Sequence, residues 1–74
     1  MIIVAQDGVN ATTELKFRIR QDSYYILEDL EGNQFGVFTR LDIAKRALSE
    51  IVLSSLDERN KVYYIKPNDF YRMI

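Results

Sequence analysis

The chain has 74 residues, 47% of them hydrophobic, and ten basic residues nearly balance eleven acidic ones, giving a formal charge of -1. It contains no histidine and no cysteine, which removes the usual general base near neutral pH, the usual thiolate nucleophile and the commonest transition-metal ligands. We therefore expect one small domain, residues 1–74, that is not an enzyme and holds no cofactor or metal.

The first part of the chain predicts two strands. The apolar, β-branched run 2–5 is typical of a strand, and turn residues at 7–10 end it. Residues 14–20 then alternate between apolar and charged side chains, with Leu15 and Phe17 on the apolar side. A period of two over seven residues indicates a strand that is buried on one face only.

A hairpin is predicted next. Residues 24–30 are rich in β-favouring side chains, and 34–38 form the returning strand. Between them, 31–33 (Glu-Gly-Asn) supplies residues that tolerate positive φ, as a tight turn requires. Gly36, inside the returning strand, predicts a bulge or the close approach of another backbone.

One helix is predicted over residues 40–56. Thr39 followed by Asp42 is typical of a helix start in which the threonine is the N-cap. Apolar side chains then recur at helical spacing, and Ala44 and Ala47 would let the helix lie close to a sheet.

The chain ends with a last strand and an apolar tail. Residues 61–65 predict the strand, which Pro67 ends because proline cannot donate to a ladder. We expect the tail, 68–74, either to pack on the domain as a helical turn or to dock on a partner.

The element order is therefore β-β-β-β-α-β. It predicts a two-layer α+β fold: one mostly antiparallel twisted sheet of about five strands, with a single helix on one face.

Four short motifs, in this order, resemble a known group of proteins. They are the opening Met1–Asp7, Phe35-Gly36-x-Phe38-Thr39, Ala44-Lys45-x-x-Leu48, and Val62-Tyr63-Tyr64-x-x-Pro67. The chain resembles very small proteins of Firmicutes phages and prophages, which typically start Met-Ile-Val-Val-Ser-Gln-Asp and carry Leu-Gly-x-Tyr before an Ala-Lys-x-x-Leu helix. The group has no settled activity. The resemblance implies a mobile-element origin, a cytoplasmic location in the host cell and a protein that binds and modulates a host protein.

A basic row is the sharpest local charge feature. Lys16, Arg18 and Arg20 would lie about 6.6 Å apart on the wet face of one strand. We favour a solvated face on which they pair across strands with acidic residues at 14, 28 or 29. Two functional interpretations remain open: an acidic protein partner, or an extended single strand of nucleic acid with tyrosines stacked on its bases.

Aromatic residues supply the other candidate contacts. In the pairs 24–25 and 63–64, one tyrosine ring should be in the core and the other exposed. We take Tyr25 and Tyr63 as candidate partner-binding rings. Phe70, Tyr71 and Ile74 in the tail are candidate contacts in a homodimer, since small domains gain stability by association.

These features predict a non-catalytic interaction protein. It would bind a host protein, for example a defence or transcription component, or a second copy of itself, through a sheet face or edge. One alternative is a single-stranded nucleic-acid-binding module that uses the basic row. Another is a small-ligand binder in a homodimer cleft. No segment predicts a membrane span.

Overall fold

Six strands and two helices make up the computed structural model, which describes all residues from 1 to 74. In chain order they are β1 (Ile2–Val4), β2 (Ala11–Thr12), β3 (Phe17–Gln21), β4 (Tyr25–Asp29), β5 (Gln34–Phe38), α1 (Leu41–Ser55), β6 (Val62–Tyr64) and α2 (Asn68–Arg72). Neither helix is long and apolar enough to cross a bilayer.

The strands form two sheets, with the orders β2-β1-β6 and β3-β4-β5. The α+β class is confirmed, and three of the four strand pairings are antiparallel. The prediction of one five-stranded sheet is wrong, because β6 returns after α1 to pair with β1 in parallel rather than extending the hairpin sheet.

The hairpin β4–β5 forms where it was predicted: β5 has the predicted bounds, and β4 is one residue shorter at each end than the predicted strand 24–30. Gly32 in its loop has a φ of +89°, which glycine adopts without strain. The register shifts between Leu27 and Glu28, which face Gly36 and Gln34, so that Phe35 is the extra residue of a bulge. A Cβ on Gly36 would lie 2.8 Å from the Phe38 ring, which explains the glycine.

Residues 14–16, predicted as the start of a strand, lie before β3. The hydroxyl of Thr12 accepts a hydrogen bond from the Glu14 N–H at 3.1 Å, which turns the chain immediately after β2. Such local side-chain bonds compete with a strand ladder. The strand that contains the alternating residues therefore begins only at Phe17.

The core lies between α1 and the sheets. The inward side of α1 carries four fully buried residues: Ile43, Ala44, Ala47 and Ile51. These pack in one cluster with residues from both sheets, including Ile3 of β1 and Leu27 of β4. The two alanines lie at buried positions, as expected for a helix packed closely on a sheet.

The helix start differs from the prediction. Its N-cap is Arg40, which makes no side-chain capping bond. Thr39 instead faces the tail, where its N–H donates to Asn68 Oδ1 at 3.0 Å. Asp42 pairs with the guanidinium groups of Arg40 and Arg46 at 3.0 and 3.5 Å, in place of a capping box. A tertiary hydrogen bond thus replaces the local cap.

Gln6 joins the two sheets. Its backbone N–H donates to the Phe35 carbonyl at 2.9 Å, and its Oε1 accepts from the Val37 N–H at 2.8 Å. Its Nε2 donates to the carbonyl of Lys66 at 2.9 Å. We call this set of bonds the Gln6 bridge. It holds the end of β1 against β5 and against the segment that follows β6.

The tail packs against the domain as the short helix α2. The side chain of Tyr71 is fully buried, and its hydroxyl lies 2.9 Å from the hydroxyl of Tyr63. The same oxygen accepts the N–H of Lys66 at 2.9 Å. Arg46 of α1 donates to the Tyr71 carbonyl at 3.3 Å, so that α2 is fixed from both the helix and the sheet side.

Candidate interaction surface

The basic row is largely paired within the molecule. Arg18 Nε and Arg20 Nε lie 3.1 and 3.2 Å from the same oxygen, Oε1 of Glu28, which is only 3% exposed. Arg20 also lies 3.5 Å from Asp22. The sequence predicts pairing with an acidic residue at 14, 28 or 29, and the structure shows that the partner is Glu28, which the register places directly opposite Arg18.

Lys16 does not belong to this row. It lies before β3, so the three basic side chains do not form one regular array along a strand. Two of them share a carboxylate that is nearly inaccessible to solvent. A nucleic-acid strand would have to compete with that carboxylate for both guanidinium groups, and this weakens the electrostatic case for such a ligand.

The tyrosine pairs divide as expected, but the two candidate rings are the wrong members. Tyr25 is half-buried against the core, and Tyr63 is only 7% exposed. The exposed members are Tyr24 and Tyr64, at 53% and 63%. The choice of Tyr63 fails because its side chain lies on the face of β6 that packs inward with Ile65.

Tyr71 is likewise a core residue rather than a surface contact. Burial raises the pKa of both Tyr63 and Tyr71, whose hydroxyls are hydrogen-bonded to each other. The ammonium of Lys66 lies 3.9 Å from the centre of the Tyr63 ring, a cation–π distance. Of the tail candidates, only Phe70 and Ile74 remain exposed.

The outer face of β1 and β6 is apolar and largely exposed, with Val4 half-buried. The register pairs Ile2 with Val62 and Val4 with Tyr64, so these four side chains lie together on the face opposite the core. Ile2 and Val62 are 44% and 42% exposed. We call this set the β1–β6 face. Large apolar side chains grouped on adjacent strands are typical of a binding surface when no layer covers them.

The free edge of β6 borders this face. The Ile2 N–H donates to the carbonyl of Lys61 at 2.8 Å, and the Ile65 N–H donates to that of Val4 at 2.9 Å. Alternate residues of a parallel ladder bond to the same side, so the main-chain groups of Val62 and Tyr64 point away from β1. Because β6 ends the strand order, no strand pairs with these groups.

The outer edge of β5 is treated differently. Side-chain amides occupy its outward main-chain groups, in three hydrogen bonds: Gln6 to Val37, Asn10 to Gln34, and Asn68 to Thr39 just beyond the strand. The outer strand β3 carries Arg18 and Arg20, and charged side chains discourage strand pairing at an edge. Of the edges of β3, β5 and β6, that of β6 alone combines unpaired main-chain groups with exposed apolar neighbours.

Asp29 serves local structure. Asp29 accepts hydrogen bonds from the N–H groups of Glu31 and Asn33 and from the side-chain amide of Asn33. The hydrogen bond from the side-chain amide of Asn33, together with these backbone hydrogen bonds, lowers the pKa of Asp29 below its ordinary value. The carboxylate thus stabilises the hairpin turn, and no group of three potential ligands is placed to hold a metal ion.

The comparisons with family models, with curated proteins and with solved structures found no match to this chain.

The β1–β6 face is the feature that the sequence interpretation missed. Its signal is present, because Val62 and Tyr64 alternate with the inward Tyr63 and Ile65. What could not be read from the sequence is the parallel pairing of β6 with β1, which brings Ile2 beside Val62. Without that register, the exposed residues of two distant segments do not form one surface.

Proposed function

We propose that this chain is a non-catalytic interaction protein that binds a protein partner through the β1–β6 face and the adjoining edge of β6. The observation that carries the proposal is the register pairing of Ile2 with Val62 and of Val4 with Tyr64, which assembles one exposed apolar surface. Burying such side chains on association would contribute roughly 25 cal/mol for each Å² of apolar area removed from water.

The charge distribution favours a protein over nucleic acid as the partner. Arg18 and Arg20 are held by Glu28, whereas the Tyr64 ring and the aliphatic groups of the β1–β6 face carry no charge. Nucleic-acid affinity depends on basic side chains that are available to phosphates. The resemblance to phage and prophage proteins further points to a protein of the host as the partner.

The proposal is tested by crosslinking from the surface itself. A photoreactive phenylalanine analogue placed at position 64 should form specific adducts when the protein is illuminated in a host lysate. The matched control carries the same group at Leu53, which is similarly exposed but lies on α1. Adducts from position 64 that disappear when Val62 is replaced by lysine support the proposal.

A second pair of variants distinguishes specific binding at the β1–β6 face from non-specific hydrophobic association. Val62→Lys and Leu53→Lys each replace an exposed apolar side chain with a charge, on β6 and on α1 respectively. We expect only Val62→Lys to lose a captured protein. Equal capture by both variants would exclude the β1–β6 face as the binding surface.

A further inference from the structure

We propose that a second copy of this chain packs on α1, with the two α1 helices antiparallel about a two-fold axis level with residue 50. The contact surface on each copy is one row of side chains, which we call the α1 stripe: Leu41, Lys45, Leu48, Val52 and, at the C-cap, Leu56. The stripe shares no residue with the β1–β6 face, so this inference goes beyond the proposed function and is independent of it.

The first argument is that α1 has apolar residues on two sides. One side is buried and packs in the core. At 3.6 residues per turn, Leu41, Leu48, Val52 and Leu56 project within about 80° of one another on a different side. Val52 and Leu56 are 38% and 74% exposed, and an open groove lined in part by Leu48 and Val52 runs along this side. A surface helix normally has one apolar side, so the second side indicates a contact outside the domain.

The spacing of the α1 stripe suits a second helix. Its first four members are separated by four, three and four residues, the alternation that forms the seam of a two-helix coiled coil. Side chains of such a seam fill the gaps between side chains of the facing helix. The groove therefore fits a helix, and α1 of a second copy brings an identical seam to it.

The second argument is the charge along α1, which selects an antiparallel copy. Residues 40–49 contain three basic side chains and one acidic, a net charge of +2, whereas residues 50–59 contain three acidic and one basic, a net charge of -2. The dipole of a single helix favours the reverse order, and the last turn of α1 contains no basic residue. Antiparallel pairing places each positive half beside a negative half, whereas parallel pairing would set like charges together.

The third argument is the position of Lys45, the one charged member of the stripe. The proposed axis pairs Leu48 of each copy with Val52 of the other, and it sets Lys45 opposite Ser55. The Lys45 ammonium then lies within reach of the carbonyl end of the other α1 and of Glu58 just beyond it. Neither Lys45 nor Glu58 forms a salt bridge within the chain. Two equivalent ion pairs would therefore form, one at each end of the interface.

A single helix pair makes a small interface, so the dimer should dissociate readily. α1 is 15 residues long, which corresponds to about 22 Å. Interfaces of that extent lie at the low end of the range for specific complexes. We expect a dissociation constant of about 10–100 µM, which sets the concentration range of the test.

The experiment is sedimentation equilibrium from about 5 µM to 1 mM, over which the wild-type chain should change from monomer to dimer. Val52→Lys buries an unpaired charge in the middle of the stripe and should weaken the dimer by about tenfold or more. The matched control is Val62→Lys, because Val62 is 42% exposed, nearly as much as Val52, and lies on the β1–β6 face. The control should stay within about twofold of the wild type, since distant sites act independently.

Circular dichroism checks that each variant folds. If Val52→Lys is unfolded, Leu56→Lys replaces it, because Leu56 is the more exposed member of the stripe.

An exchange of charges tests the orientation of the two helices. Lys45→Glu and Glu58→Lys each set two pairs of like charges in their own dimer, so each alone should weaken it by about threefold or more. A mixture of the two variants pairs opposite charges at both ends and should form a mixed dimer within about twofold of the wild type. Within one chain the two positions are about 20 Å apart along the helix axis, so this rescue cannot arise inside a monomer.

The outcomes are distinct. A wild type that stays monomeric to about 1 mM overturns the inference, and so does a dimer that Val52→Lys leaves intact. Equal loss in Val62→Lys would place the contact between copies on the β1–β6 face, and a mixture that fails to associate would exclude the antiparallel arrangement; each result overturns the inference. The proposed function has a separate readout, because capture of a partner depends on Val62 and not on Val52. Either proposal can therefore fail while the other stands.

Discussion

Replacement of Gln6 by methionine should destabilise the domain, because the Gln6 side chain bonds to two separate segments of the main chain. Methionine has nearly the same length but can neither accept from the Val37 N–H nor donate to the Lys66 carbonyl, which the Gln6 side chain contacts at 2.8 and 2.9 Å. Both groups would lose their protein partner, and the joint between the two sheets would loosen.

The size of the effect follows from the two lost bonds. Each net hydrogen bond contributes about 0.5–1.5 kcal/mol, and a group left unpaired in a partly buried place adds a penalty of about 1 kcal/mol. We expect the free energy of unfolding to fall by about 2–4 kcal/mol. For a domain of this size, that corresponds to a decrease in Tm of roughly 10–30 °C.

The assay is urea and thermal unfolding followed by circular dichroism, with Gln34→Met as the matched control. The Gln34 side chain is exposed, and only its main-chain carbonyl takes part in a contact with Asn10. Hydrogen exchange at Val37 should also accelerate in Gln6→Met. A loss below about 0.5 kcal/mol, equal to that of the control, would refute the Gln6 bridge as a stabilising element.

Four further predictions concern other parts of the molecule. Glu28→Gln should lower the free energy of unfolding by about 1–2 kcal/mol, a value kept small because the two arginines are half-exposed. It should also free Arg18 and Arg20 and so increase retention of the protein on heparin. Unchanged retention would show that Glu28 does not mask the arginines. Tyr71→Phe should cost about 1–3 kcal/mol in urea unfolding. Because burial raises the Tyr71 pKa, wild-type stability should also decline as pH rises above the ordinary value of 10.0, and a flat alkaline profile would contradict this. Because the pKa of Asp29 is lowered, its ionised carboxylate contributes stability that is fully present above pH 3.8, the ordinary pKa, and is lost as the pH falls through the lower pKa of the folded state. Asp29→Asn should flatten this part of the curve of unfolding free energy against pH, and an unaltered curve argues against it. If exposed Phe70 and Ile74 form a homodimer contact, light scattering should give twice the monomer mass, and lysine at both positions should restore the monomer; a monomeric wild type at high micromolar concentration excludes a stable dimer.

Local patterns predicted the elements whose conformation is decided locally. The hairpin turn needs positive φ, and Gly32 meets that need from within the loop. Gly36 was recognisable because a residue without a Cβ in a strand signals a close contact, here with the Phe38 ring. The helix was recognisable from its spacing, since Ile43 to Ile51 follow one buried side.

Features decided by distant contacts were not predictable in this way. Thr39 has the chemistry of an N-cap, but Asn68, which is 29 residues away, binds its N–H. Alternation showed that one tyrosine of each pair is buried, and it could not show which. Tyr63 faces inward because β6 pairs with β1 in a register that sets it beside Ile3, a core residue. Single-sequence patterns contain no information on that register.

The edge of β6 differs from those of β3 and β5 in how its outward main-chain groups are protected, and this difference supports the β1–β6 face as the candidate surface. An open edge risks pairing with other chains, and folded proteins usually cover or charge such edges. This chain uses three side-chain amides on β5 and two arginines on β3. On β6 no side chain forms a hydrogen bond with the outward main-chain groups of Val62 and Tyr64. An open edge beside an exposed apolar face offers a partner both main-chain and side-chain groups, and this combination is why the proposed function places binding at β6.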